Sequence, residues 1–155
     1  MPNDVNEPSR AEVDRAADAI VDAFATTDTK AYFAAFGPDA SFIFHPEGRR
    51  FDSRAEFEEI WNSWLSDGWP VADCVSSNRL VQTFPGGAVF SHTVETPVTT
   101  ADGTQSYRER ESIIFCHLGE GNLVAIHEHL STVPDAGDAD AAADVVSTGT
   151  EAVAQ

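Results

Sequence analysis

Apolar positions fall into two regimes, a helical one up to about residue 68 and an alternating one from Trp69 to Thr132. In the first, Val13, Ala16, Ala17, Ile20, Val21 and Phe24 recur at three and four residues and mark one helix face. Ser9 precedes this stripe with Glu12 three residues on, the spacing of a capping box. Asp14, Asp18 and Asp22 fall on the opposite face and read as a solvated row rather than a metal site. Thr27 and Asp28 break the helix. A short second helix carrying Tyr32, Phe33 and Phe36 is predicted to stop at Gly37-Pro38. Residues 40–45 form a β-rich run that ends at the turn signal Pro46-Glu47-Gly48. Asp52 or Ser53, with Glu56 completing a capping box from Ser53, opens a third helix whose Phe57, Ile60, Trp61, Trp64 and Leu65 share one strongly aromatic face.

The alternating regime holds four long segments, divided by Pro85-Gly86-Gly87, Asp102-Gly103 and Gly119-Glu120-Gly121. Short turns between consecutive strands enforce antiparallel pairing, and strands this long twist and curl. Helices first and a meander afterwards predict an α+β fold, a curved antiparallel sheet packed by three N-terminal helices. Such a sheet forms a cone whose open mouth suits a small-molecule ligand. The domain is expected over residues 9–133, between a loose stretch at 1–8 and a disordered acidic tail at 134–155.

Composition narrows the partners. The 155 residues suit one domain with a real core. Twenty-six acidic residues face nine basic ones, and Lys30 is the one lysine. A net charge of −17 repels nucleic acid and anionic membrane surfaces, so neither is an expected partner. Adaptation to a high-salt or high-GC setting accounts for this acidity. Attraction of a cationic ligand is the weaker account, because the acids are scattered along the chain. No stretch approaches the ~20 apolar residues of a membrane span, and the N-terminus lacks the pattern of a signal peptide, so the cytoplasm is the expected location. Cys74 and Cys116 stand far apart, which excludes a disulfide framework and a cysteine zinc site.

Three passages carry a resemblance. Residues 28–42, from Asp28-Thr-Lys-Ala-Tyr-Phe to Asp39-Ala-Ser-Phe42, look like a small helix entering a first strand. Residues 44–57, beginning Phe44-His-Pro-Glu-Gly-Arg-Arg-Phe, look like strand, turn and third-helix start. The last strand reads Ile126-His-Glu-His-Leu-Ser131. Their order resembles the nuclear transport factor 2-like superfamily (cystatin-like cones), in its SnoaL-like or DUF4440-type branch, over roughly residues 10–133. Leu123 departs from the pattern, standing where the family's last strand commonly opens on tryptophan. The resemblance implies the cone and a small-molecule pocket, and it implies a homodimer paired through the outer sheet face. It leaves the activity open, because members include isomerases, dehydratases, cyclases and non-catalytic binders.

Period-two alternation places Leu123, Ala125, His127, His129 and Ser131 on one strand face and Val124, Ile126, Glu128 and Leu130 on the other. Two imidazoles pointing the same way can give and take protons near neutral pH, so His127 and His129 are the first catalytic candidates. Hydrogen-bonded wall residues are the plainer reading of the same pair. His-x-His is also a zinc-type arrangement, with His45, His92 or Glu95 as third ligand, but no cofactor is expected and a divalent metal is the minority alternative. Arg110 shares its face with Ser112 and Ile114. It is either an exposed ion-pair partner or, as the resemblance implies, a pocket guanidinium for an oxyanion. His45 is a further candidate acid or base. Tyr32, Phe44, Trp61, Trp64, Trp69 and Ser112 complete the predicted pocket. Three functions remain: a cofactor-independent isomerase, dehydratase or cyclase; a non-catalytic ligand-binding or oligomerising domain; and a metal enzyme built on the histidine pair.

Overall fold

A computed structural model describes residues 6–68, 73–100, 103–118 and 122–134. Three helices come first or nearly so: α1 (Arg10–Ala25), α2 (Thr29–Ala34) and, after strand β1 (Phe36–Phe44), α3 (Arg54–Ser66). Strands β2 (Val75–Phe84), β3 (Gly87–Thr100), β4 (Gly103–His117) and β5 (Leu123–Thr132) follow. Ser9 Oγ accepts from Glu12 N–H at 3.1 Å, and Ser53 Oγ accepts from Glu56 N–H at 3.2 Å, so both predicted caps form. Glu56 reaches back one residue further than a capping box requires, to Asp52 N–H at 2.6 Å. Thr27 ends α1 in the left-handed region at φ 52°, and Asp28 caps α2 through Ala31 N–H.

The strand order is β1-β5-β4-β3-β2. The meander from β2 to β5 is antiparallel throughout, as predicted, but β1 pairs with β5 in parallel, so an all-antiparallel sheet needs correcting. The chain between β1 and β5 includes α3 and three strands, which is ample length for the crossover that a parallel neighbour needs. Gly37-Pro38 also corrects the prediction: β1 starts at Phe36, and the glycine and proline sit inside it where its register against β5 shifts. Bulges are where sheets tolerate such residues.

Two further register shifts decide what faces inward. Between Ser77 and Leu80 the β2 ladder slips, with Asn78 at φ 52°. On β5, Ile114 pairs with His127 but Phe115 with Ala125, leaving Ile126 unopposed. The core is aromatic: Tyr32, Phe33, Phe36, Phe42, Phe57 and Trp61 are buried between the helices and the inner sheet face. The α3 stripe behaves as predicted, with Phe57 and Trp61 buried and Ile60 and Trp64 packed partly buried beside them. Asn6 and Glu7 hydrogen-bond to the β2–β3 hairpin through Gly86 N–H and Thr83 Oγ1, while residues 1–5 and 135–155, including the predicted tail, lie outside the described residues. Among the described residues no helix is long and apolar enough to cross a membrane.

Candidate functional site

The helices and the curled sheet enclose a cavity of about 410 Å³. α1 supplies Ile20, Val21 and Phe24, and α3 supplies Phe57 and Trp64. The sheet side is different. Inward positions on β3, β4 and β5 place His92, Glu109, Glu111 and Glu128 against the cavity, with Tyr32 arriving from α2.

Four of these side chains form one buried chain of hydrogen bonds. Tyr32 Oη donates to Glu128, at 2.9 Å from Oε2 and 3.3 Å from Oε1. Glu128 is hydrogen-bonded to Glu111, and His92 Nε2 lies 2.7 Å from Glu111 Oε1. His92 Nδ1 lies 2.6 Å from Ser76 Oγ, which accepts from Arg79 Nε at 2.8 Å. Arg79 is held in turn by Asp18 at 2.7 Å and lies over the Phe90 ring. Two members of the aspartate row on α1, Asp14 and Asp18, are therefore partners of Arg79 rather than a bare solvated face.

The donors fix the protons. Ser76 Oγ already accepts from Arg79, so its own hydrogen points to His92 Nδ1, and His92 donates its Nε2–H to Glu111. Burial first, and then the charge of Arg79, push His92 down to about 4, so the imidazole is neutral. Burial, and then the facing Glu111, hold Glu128 well above the usual carboxylate range, and burial raises Glu111 as well. Two carboxyls in contact in a dry site cannot both ionise, so the pair shares one proton, with Glu128 donating to Glu111. Burial and the neighbouring Glu128 keep the Tyr32 phenol protonated. Cys74, also on the cavity, is pushed up to about 12 by burial first and then by Glu111, so it offers no thiolate near neutral pH.

The sequence-predicted residues divide cleanly. Tyr32, Phe44 and Trp64 line the cavity. Trp61 stands behind Tyr32, stacked at 4.7 Å with Nε1 donating to Thr29, and belongs to the core. His45 reaches the rim, where Nε2 lies 2.6 Å from Glu109. Trp69 lies outside the described residues. The bulge at Ile126 corrects the predicted alternation: Ala125 shares the inner face with Glu128 and Leu130, while His127 and His129 turn to the outer face. There His127 Nδ1 meets Ser41 Oγ at 2.8 Å and the two rings stand 6.2 Å apart. Ser112 pairs with His129 across the outer face, and Arg110 is exposed beside it, donating to Thr132 O, rather than reaching the cavity. Among the described residues, no group of three or more His, Cys, Asp or Glu side chains is placed to hold a metal ion. Sequence reasoning misses Glu111 and Glu128. Their signal is present, since Glu111 lies two and four residues before Ile113 and Phe115, which are inward and buried.

The family model of the SnoaL-like domain matches residues 13–136, most of the chain. The chain belongs to the SnoaL-like family. This SnoaL-like domain, a branch of the nuclear transport factor 2-like superfamily, has solved structures of similar fold. A CaMKII hub from S. rosetta is 19% identical with a TM-score of 0.69, over 81% of this chain and 99% of that one. A putative calcium/calmodulin dependent protein kinase II association domain from Xanthomonas campestris is 20% identical with a TM-score of 0.68, over 87% and 93%. A nuclear transport factor 2-like superfamily protein from Salmonella enterica is 15% identical with a TM-score of 0.67, over 81% and 92%. No curated protein matches the chain at a significant level.

Proposed function

We propose that this SnoaL-like domain is a cofactor-independent acid–base enzyme of the isomerase, dehydratase or cyclase type, acting in the cytoplasm on a small, partly apolar organic molecule. The observation that carries the reading is the Glu111–Glu128 pair, one proton between two carboxyls, at the wall of a 410 Å³ cavity. Paired titratable groups whose environments push them apart supply one acid and one base. Glu111, the carboxylate, takes a proton from a carbon beside a carbonyl, and protonated Glu128 returns one elsewhere. Tyr32, neutral, steadies Glu128. The outer-face His127 and His129 take no part, and His45 acts only through Glu109 at the rim.

The test is hydrogen–deuterium exchange into a panel of enolisable ketones of cavity size, carrying neutral, anionic and cationic tails, followed by NMR. Exchange above buffer is expected, reduced about 10²–10⁴-fold in Glu111→Gln and Glu128→Gln. A panel that binds, seen by line broadening, yet exchanges no faster than in buffer overturns the enzymatic reading.

A second reading concerns self-association. Leu80 is 51% exposed and Ile126 36%, and the partly buried Ile43, Val89 and Ile114 continue the outer sheet face between them. We propose that two copies pair through this face, as proteins with a large exposed apolar patch commonly do. Sedimentation at micromolar concentration should give twice 16.7 kDa, and a clean monomer overturns it.

A further inference from the structure

The cavity has a charge character that the proposed chemistry leaves unused. Glu47, Asp67, Glu109, Glu111 and Glu128 line it, and its described lining includes no lysine or arginine. The one imidazole there, His92, spends its N–H on Glu111 and its lone pair on Ser76. A ligand carboxylate would meet five acids and no cation. The opposite ligand meets complementary walls: Phe24, Tyr32, Phe44, Phe57 and Trp64 present aromatic rings within the same cavity. Ring faces attract ammonium groups, most strongly where water is excluded. The buried carboxyl pair has Tyr32 and His92 as donors and holds a proton where a counter-ion could stand.

We infer that the cavity is a site for a small organic cation, an aromatic or aliphatic molecule carrying a protonated amine or quaternary ammonium, with Glu111 and Glu128 together as its counter-charge. This rests on the proposed reading of the cavity as a ligand site and narrows its substrate class. Scattered along the sequence, the acids give no such signal; folding gathers five of them around one space.

Charge balance gives the inference its signature. The pair with its shared proton carries one negative charge, which an ammonium group balances while Glu128 keeps its proton. Binding of a cation is therefore weakened at low pH, where the pair takes up a second proton. The groups facing the pair are Tyr32 from α2, His92 from β3, Glu109 of β4 with His45 beyond it, Cys74 before β2, and Arg79 behind Ser76. Glu47 and Asp67 stand on the cavity's more exposed parts.

The probes are 2-naphthylmethylammonium, 2-naphthylmethanol and 2-naphthoate, alike in size and different in charge. Calorimetric titration at pH 6 and pH 8, in two buffers of different ionisation enthalpy, should show the ammonium binding at least about tenfold tighter than the alcohol at pH 8. The naphthoate should bind weakest. No probe should release a proton at pH 8, the heats agreeing between buffers once dilution is subtracted, and lowering the pH should weaken the ammonium alone. Glu111→Gln removes the carboxylate of the pair and the double variant Glu111→Gln/Glu128→Gln removes both carboxyls, so the ammonium's advantage should fall in the first and vanish in the second. If the double variant does not fold, the pH and buffer arms on the unaltered protein decide the matter alone. The inference is overturned if the alcohol binds as well as the ammonium. It is equally overturned if the ammonium's advantage survives in the double variant Glu111→Gln/Glu128→Gln, which would mark attraction by the overall charge of −17. Alcohol binding without charge preference leaves the cavity a ligand site, whereas failure of all three probes at millimolar concentration overturns both readings.

Discussion

Strands β4 and β5 carry two chemistries back to back. On the concave face stand Glu109, Glu111, Ile113 and Phe115 opposite Ala125, Glu128 and Leu130, mostly buried and facing the cavity or the core. On the convex face stand Arg110, Ser112 and Ile114 opposite His127 and His129, wetter and only partly buried. The side chains usually associated with catalysis, two histidines and an arginine, are on the outside. Carboxylates, which elsewhere are solvated, are on the inside, where burial makes them weak acids. Environment, more than residue type, decides which groups can exchange protons near neutral pH.

The sharpest way to break this comparison is to shift the faces by one residue beyond the bulge. Inserting an alanine between His127 and Glu128 turns Glu128 and Leu130 outward and His129 inward. Denaturant unfolding should show a loss of more than about 4 kcal/mol, beyond ordinary point changes. An insertion that unfolds like the unaltered protein would mean the ladder absorbs the extra residue and the faces are not fixed. Next in size is Trp61→Ala, which removes the indole stacked on Tyr32 and should cost about 3–5 kcal/mol.

His92 gives a pH test of the concave face. Its folded value is pushed down to about 4, below the unfolded value near 6.5, so no proton-linked penalty exists above pH 6.5. As pH falls from 6.5 to about 4 the unfolded chain takes up a proton the fold refuses. The stability of the protein relative to His92→Gln should then drop by about 3 kcal/mol. A constant difference across that window would mean the imidazole is charged and paired with Glu111. The smallest effects belong to the convex face. His129→Gln should change stability by less than about 0.5 kcal/mol, and His127→Gln by about 1 for its bond to Ser41. Neither should alter ketone exchange, and a hundredfold loss in either would return the histidine pair to the catalytic centre.

Much of the frame is legible in the sequence. Ser9 and Ser53 announce their helices because a cap is a local arrangement of four residues, and the α3 stripe announces its buried face because helical period is local too. The meander follows from its turns. Tyr32 is legible as a pocket residue, and Phe44 and Trp64 with it. The acid pair is not, for a physical reason. Alternation propagates a face assignment along a strand only while the ladder is unbroken, and one extra residue at Ile126 reverses it for everything beyond. Starting from the apolar Leu123 and Ala125, the count puts His127 and His129 inside and Glu128 outside. Counting back from Leu130 puts Glu128 inside. The parallel partner of β1 is equally hidden, because no turn links it to β5.

That unlinked pairing has a kinetic consequence. Tyr32 and Glu128 are 96 residues apart in the chain, and Ser41 and His127 are 86 apart. The hairpins of the meander close short loops, whereas docking β1 on β5 closes a loop that spans most of the domain, at a larger entropic cost. Strand signal can therefore return on refolding before the cavity exists. The proton-sharing pair meets its tyrosine only when the first strand reaches the last, so competence to bind appears as one late step, and a chain stalled before it has a sheet without a site.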